Sequence, residues 1–222
     1  MNRYSHIIWD WNGTLLDDAS HAMNVMNEML QKRGMSVMNH MADYHRAFVF
    51  PIIDYYKNVG FDFESESFED LALEFITGYH ANRTGNSPLH KNAECLLKTI
   101  NEAGITQIIL SASKHENLLL QVEEFPIKHY FDEILGLSDI YAKSKVEIGL
   151  DYMRNNTVEK ALLIGDSTHD YEVAKALGAD CILMSIGHQS KEILETCGVP
   201  VVDNVLKIMD FIKEKATFEE VM

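Results

Sequence analysis

Apolar positions along the chain fall into two spacings. Ile7-Ile8-Trp9 is a short continuous run that leads into Asp10 and an Asn12-Gly13-Thr14 turn, the pattern of a buried strand ending in polar residues. The spacing then becomes helical. Ala22, Val25, Met26, Met29 and Leu30 predict a helix near 20–33 that stops at Gly34. His40 to about Tyr56 is a second helical stretch, interrupted at Phe50-Pro51 because proline disfavours helix at the residue before it. Phe68 to about Ala81 is a third, with Leu71, Phe75 and Tyr79 sharing a face with Ala72 and Ile76. No strand pattern falls between about 18 and 84, so this stretch reads as an all-helical insertion.

From there the two spacings alternate. Helices are predicted around Ala93–Ile100, Asn117–Val122, Val146–Arg154, Tyr171–Leu177 and Val205–Lys215. Between them lie strand-like runs at Thr106–Leu110, ending at Ser111, and at Glu133–Leu137, Ala161–Ile164, Cys181–Met184 and Pro200–Val202. Alternating strands and helices imply an α/β protein with a parallel sheet covered by helices on both faces. The predicted organisation is a Rossmann-like core from residues 1–17 and 85–222, with a helical cap from 18–84.

The composition suits a folded core: 46% of the 222 residues are hydrophobic, with only 4 prolines and 12 glycines. A formal charge of −15 disfavours nucleic acid and anionic membrane surfaces as partners. It leaves open a small anionic ligand held by local donors. Cys95, Cys181 and Cys197 are an odd count without metal-like spacing, which suits reduced cytosolic thiols. No signal peptide is predicted at the start and no run approaches the ~18 residues of a membrane span, so a cytoplasmic location is expected.

The chemistry lies at strand ends. Asp10 follows the first strand, and Gly165-Asp166-Ser167-Thr168-His169-Asp170 follows the Ala161–Ile164 run. In open parallel sheets, ligands bind outside the carboxyl ends of the strands. Two acidic clusters meeting there suggest a hard-metal and phosphate site. With Ser111 and Lys145 between them, the order of motifs resembles the haloacid dehalogenase superfamily. Asp10-Trp11-Asn12-Gly13-Thr14, followed by Leu15-Leu16-Asp17, matches its first motif, Asp-x-Asp-Gly-Thr, with one departure. Ser111 matches the second, and Lys145 in Ser144-Lys145-Val146-Glu147 the third, Lys143 being a weaker candidate. Gly165 to Asp170 matches the fourth. The insertion resembles the small cap of phosphoglycolate-phosphatase-like members.

The resemblance implies an Mg²⁺-dependent phosphatase acting on a small phosphorylated metabolite, a phosphoglycolate-like or sugar phosphate. Asp10 would be the nucleophile that becomes an aspartyl-phosphate. Asp10, Asp166 and the main-chain carbonyl of Asn12 would hold the ion, with Asp170 bound directly or through water. Ser111, the amides of Ala112 and Ser113 at a helix start, and Lys145 would bind the phosphoryl oxygens. Cap closure would exclude water, with hinges near Asp17 and Thr84. Arg46 is the cap cation expected to contact substrate; the Tyr44–Tyr56 stretch, with Phe48, Phe50 and Tyr55, is a candidate pocket lining, most of its aromatics being expected to pack cap on core. A monomer or homodimer is expected.

The departure is Asn12, where family phosphatases usually carry an aspartate that protonates the leaving group. Asparagine cannot titrate, and a positioned acid or base contributes about 100- to 10,000-fold. Three accounts remain open. The substrate has a good leaving group, or another residue such as His21, His45 or His169 acts. The chain instead binds a phospho-ligand, or holds a long-lived phosphorylated Asp10, as a regulatory module with weak turnover. Or Asn12-Gly13 deamidates, leaving aspartate in some molecules.

Overall fold

The computed structural model describes residues 4–81, 87–138 and 144–212. The first strand, β1 (His6–Trp9), is followed by four helices: α1 (Ala19–Lys32), α2 (Met41–Ala47), α3 (Ile52–Asn58) and α4 (Phe68–Ala81). After them come α5 (Ala93–Glu102), β2 (Thr106–Lys114), α6 (His115–Glu123), β3 (Glu133–Leu137), α7 (Lys145–Asn155), β4 (Ala161–Gly165), α8 (Thr168–Leu177), β5 (Asp180–Met184), α9 (Lys191–Glu195), β6 (Val201–Val202) and α10 (Met209–Ile212).

The six strands pair in the order β3-β2-β1-β4-β5-β6, and each neighbouring pair is parallel. This is the doubly wound order, whose switch point lies between β1 and β4. Trp9 pairs with Ile164, so Asp10 and Asp166 leave the sheet on adjacent strands at the same edge. Both strands are buried along their whole length, as expected of strands covered on both faces. Ile7 and Trp9 face one apolar cluster with Leu96, Leu97 and Ile100 of α5. Ile8 faces the other with Tyr152 of α7 and Val173 of α8. The helices from α1 to α4 share a third cluster of their own, built on Met26, Leu30, Tyr44 and Leu71.

Phe50-Pro51 separates α2 from α3 as anticipated. Three details differ from the sequence reading. β2 runs past Ser111 to Lys114, with a register shift against β3 between Leu110 and Lys114. The Ala112 and Ser113 amides therefore lie in strand, and α6 begins only at His115; they are not at a helix start. The final helix opens as a 3₁₀ turn over Val205–Ile208, and its expected continuation to Lys215 lies outside the described residues. Helix α9 went unforeseen because five residues are too few to show a period.

Candidate active site

Glycines make room for the acidic groups. Gly13 has φ +71, and a Cβ there would strike the Asp166 carboxylate. A Cβ on Gly165 would strike the Asp170 side chain. Only glycine allows the first turn both its left-handed backbone and this close approach.

Asp10, Asp166 and Asp170 are all buried, and each offers an oxygen within 4.8 Å of the others. Lys145, the buried first residue of α7, follows an exposed capping box between Ser144 and Glu147. Its Nζ donates to Asp10 Oδ1 and to Asp170 Oδ1, at 2.6 Å each. Asp170 Oδ2 caps α8, accepting from the Ser167 hydroxyl at 2.6 Å and the Ser167 amide at 3.0 Å. Both Asp170 oxygens are thus committed, which suits an outer position relative to any shared ion. Asp166 accepts the His188 amide at 2.6 Å. The Thr14 hydroxyl lies 3.4 Å from Asp10 Oδ2 and 3.3 Å from Asp166 Oδ1.

Three carboxylates face one ammonium. Burial, reinforced by Asp170, pushes Asp10 up to about 6 despite Lys145. Burial, with Asp170 and Asp10 adding to it, pushes Asp166 up to about 8 despite His188. Burial also opposes charge on Asp170, but Lys145 outweighs it and holds this carboxyl low. An all-oxygen donor set with surplus buried negative charge fits a hard divalent cation.

Asn12 is held on every side. Its amide nitrogen donates to Asp18 Oδ2 at 2.8 Å and to the Tyr79 hydroxyl at 3.0 Å. Its oxygen accepts from the Ser113 hydroxyl at 2.9 Å. Asp18 also accepts from the Tyr79 hydroxyl at 2.6 Å and the Gly13 amide at 2.7 Å. Deamidation requires that Gly13 amide to attack the Asn12 side chain, and here both groups are engaged elsewhere. On the far side of Asp18, His188 Nε2 lies 3.4 Å from Oδ1, and Nδ1 is 2.7 Å from the Tyr44 hydroxyl. Burial disfavours both charges, yet each sustains the other: Asp18 is held down to about 2 and His188 raised to about 9.

The other expected residues divide. Ser111 is buried and its hydroxyl accepts the Ser113 amide at 3.1 Å. Ser111, Ala112 and Ser113 line the same cleft as Asp10 and Lys145. Arg46 does not: its side chain is 77% exposed and lies 3.4 Å from Asp43, one helical turn away. The expected substrate contact is corrected on that ground, since an exposed i,i+3 pair contributes little and leaves the cation in solvent. Arg46→Ala is expected to change turnover by less than about twofold and stability by under about 0.5 kcal/mol, read from steady-state rates and thermal unfolding. His21 bonds the Tyr79 carbonyl at 2.9 Å, and His45 the Gly187 carbonyl at 3.0 Å. Of the three histidines considered, His169 alone lines the cleft, stacked on Phe50. Lys143 and Thr84 lie outside the described residues. Asp18, Tyr79 and His188 were not anticipated as site residues, whereas Tyr44 belongs to the stretch considered for pocket lining or cap packing, and its hydroxyl meets His188. His188 lies in the loop four residues past the end of β5, too far from the strand for the rule that singled out Asp166, directly after β4, to find it.

Residues 7–184 match the haloacid dehalogenase-like hydrolase family. The chain belongs to that family. It is 24% identical over 189 residues to a phosphoglycolate phosphatase of Rhodobacter capsulatus, covering 82% of this chain and 85% of that one. A haloacid dehalogenase-like family hydrolase from Streptococcus pneumoniae superposes with a TM-score of 0.78 at 18% identity, over 94% and 98% of the two chains. Protein tyrosine kinase A of Mycobacterium tuberculosis superposes with a TM-score of 0.79 at 20% identity, over 95% and 99%. Among the described residues, no helix of this haloacid dehalogenase-like protein is long and apolar enough to cross a membrane.

Proposed function

We propose that the protein is an Mg²⁺-dependent phosphohydrolase that cleaves a phosphate monoester through a phosphorylated Asp10. The observation that carries this reading is the 2.6 Å contact of Lys145 Nζ with Asp10 Oδ1, beside Asp166 at the switch point of the sheet. The family's phosphatase relatives support it.

Asp10 Oδ2 would attack phosphorus, and the bond to the leaving oxygen would break. Lys145, Ser111 and the backbone amides beside Ser111 would take up charge on the phosphoryl oxygens. Water would then cleave the acyl-phosphate and return Asp10. Asp10, Asp166 and the Asn12 carbonyl would hold Mg²⁺, with Asp170 outside them; the ion would screen the carboxylates from the phosphoryl group. The helices α1 to α4 serve as the cap, which we keep at residues 18–84, and the substrate is a small phosphorylated metabolite.

The test is acid quenching after incubation with acetyl phosphate and Mg²⁺, followed by peptide mass analysis. One phosphoryl group on the peptide containing Asp10 is expected; a phosphoryl group elsewhere, or none, would falsify the mechanism. The second reading, a module that stays phosphorylated, is favoured by the complete engagement of the Asn12 side chain, which leaves no titrating group at its position. A stoichiometric burst without subsequent turnover would select it.

The carboxylate charges add a prediction about pH. An acid whose folded-state pKa is raised keeps protons that the unfolded chain has already released near pH 4. Without a cation, the contribution of Asp10 and Asp166 to stability is therefore full at low pH and is lost as pH rises through about 6 and about 8. Mg²⁺ would replace those protons, so its effect on Tm should grow from pH 5 to pH 8.5. At a hundredfold excess over Kd the gain is about 2.7 kcal/mol, or roughly 5–11 °C for a chain of this size. Thermal unfolding in Mg²⁺ against EDTA measures it, and an increment that does not change with pH would contradict the assignment.

A further inference from the structure

The phosphoryl site opens into a cleft of about 420 Å³ whose far wall is apolar. Phe50 and Ile52 from the start of α3 and its approach, Phe75 and Ile76 from α4, and Leu137 from β3 form it. Large apolar side chains scattered singly on a surface need no explanation. Here three of the six most exposed among the described residues, Phe50 (39%), Ile52 (36%) and Ile76 (44%), converge on one cleft that ends at Asp10. Such a wall suits an apolar ligand body.

Among the described residues, the buried cations of this cleft are already paired, His188 with Asp18 at 3.4 Å. Among the described residues no arginine lines the cleft. Of the two lysines among the described lining residues, Lys145 is buried against Asp10 and Asp170, while Lys114 is solvent-exposed and lies 2.7 Å from Glu116. Asn12, at the mouth of the phosphoryl site, holds no proton to give a poor leaving group.

We infer that the substrate is an aryl phosphate, the monoester of a phenolic alcohol with a flat apolar body; this rests on the phosphohydrolase reading above. The new bond joins Asp10 oxygen to phosphorus while the phosphorus–aryl oxygen bond breaks, and its electron pair leaves on the phenolate. A phenol titrates near 10, far below an aliphatic alcohol, so the phenolate departs unprotonated and takes its proton from water. Water then supplies the hydroxyl that releases inorganic phosphate from Asp10.

The experiment compares kcat/KM for 2-naphthyl phosphate, phenyl phosphate and phosphoglycolate in Mg²⁺, with acetyl phosphate as a donor that needs no apolar wall. The two aryl esters have similar leaving groups, so their ratio reads the cleft. Naphthyl is expected to exceed phenyl by about tenfold, on the scale of one added apolar contact, and both should exceed phosphoglycolate. Ile76→Ser should bring the naphthyl-to-phenyl ratio down to about one to three, whereas Leu73→Ser, on the same helix but outside the cleft, should leave the ratio as it was. Turnover of acetyl phosphate together with phosphoglycolate at or above naphthyl would overturn the aryl assignment and leave the phosphohydrolase standing. Failure of every donor to phosphorylate Asp10 would remove both.

Discussion

Asp10→Asn is expected to abolish turnover, by about 10⁴-fold or more, without unfolding the protein. Asparagine has the shape of aspartate, and its carbonyl can still accept from Lys145, which sits 2.6 Å from Oδ1. What it lacks is a nucleophilic charge. The stability change should run the other way. Asp10 is one of three buried carboxylates against one ammonium, and burial with Asp170 lifts it to about 6. Removing that charge relieves repulsion in the cation-free protein, so at pH 8 in EDTA the variant should melt at or above the wild-type temperature. The Mg²⁺ increment should shrink at the same time, because one ligand has lost its charge. A strand-end aspartate that only shapes a turn would give the opposite pair: activity retained and a lower Tm. Rates and melting curves on one preparation separate the two.

The positions that were legible in the sequence share a simple geometry. Asp10, Asp166 and Ser111 follow apolar runs, and Lys145 opens a helix, so the sheet order alone brings them to one edge. Arg46 failed because a helix places a side chain by its angle around the axis, and the loop after α2 decides which way that faces. Asp18 was hidden differently. It stands at the N-cap position of α1, where acidic residues are ordinary, yet it makes no cap bond and turns back to Gly13 and Asn12 instead. Tyr79 bonds Asp18 across 61 positions within the helical insertion, and Tyr44 meets His188, 144 positions away, only when that insertion lies on the sheet. No local spacing encodes such a partnership. The extension of β2 depended on Gly136, where a Cβ would meet the Ser113 carbonyl and the His115 backbone. That glycine looked like any other in a short strand.

Asn12→Asp is expected to raise kcat/KM on an alkyl phosphate such as phosphoglycolate by about 100- to 10,000-fold, and on an aryl phosphate far less. The new carboxyl would stand where the Asn12 amide now lies, with Asp18 Oδ2 2.8 Å from the nitrogen it replaces. Two carboxylates that close cannot both ionise, and Asp18 is already held at about 2 by His188 with help from Tyr79. The proton therefore stays on residue 12, whose pKa rises. A carboxylic acid that keeps its proton near neutrality is what an alkoxide leaving group requires. Since kcat/KM reports steps up to phosphorylation of Asp10, the alkyl-over-aryl contrast isolates leaving-group protonation. Steady-state kcat should rise for both esters if hydrolysis of phosphorylated Asp10 limits wild type, and the burst of phenol should disappear. Stability should fall, because the amide that donated to both Asp18 and Tyr79 is gone. Adding Asp18→Asn restores a donor opposite residue 12 and removes the repulsion that kept it protonated, so the double variant should lose activity at lower pH than Asn12→Asp alone. Equal gains in kcat/KM on alkyl and aryl esters would mean that protonation of the leaving oxygen was never what Asn12 withholds.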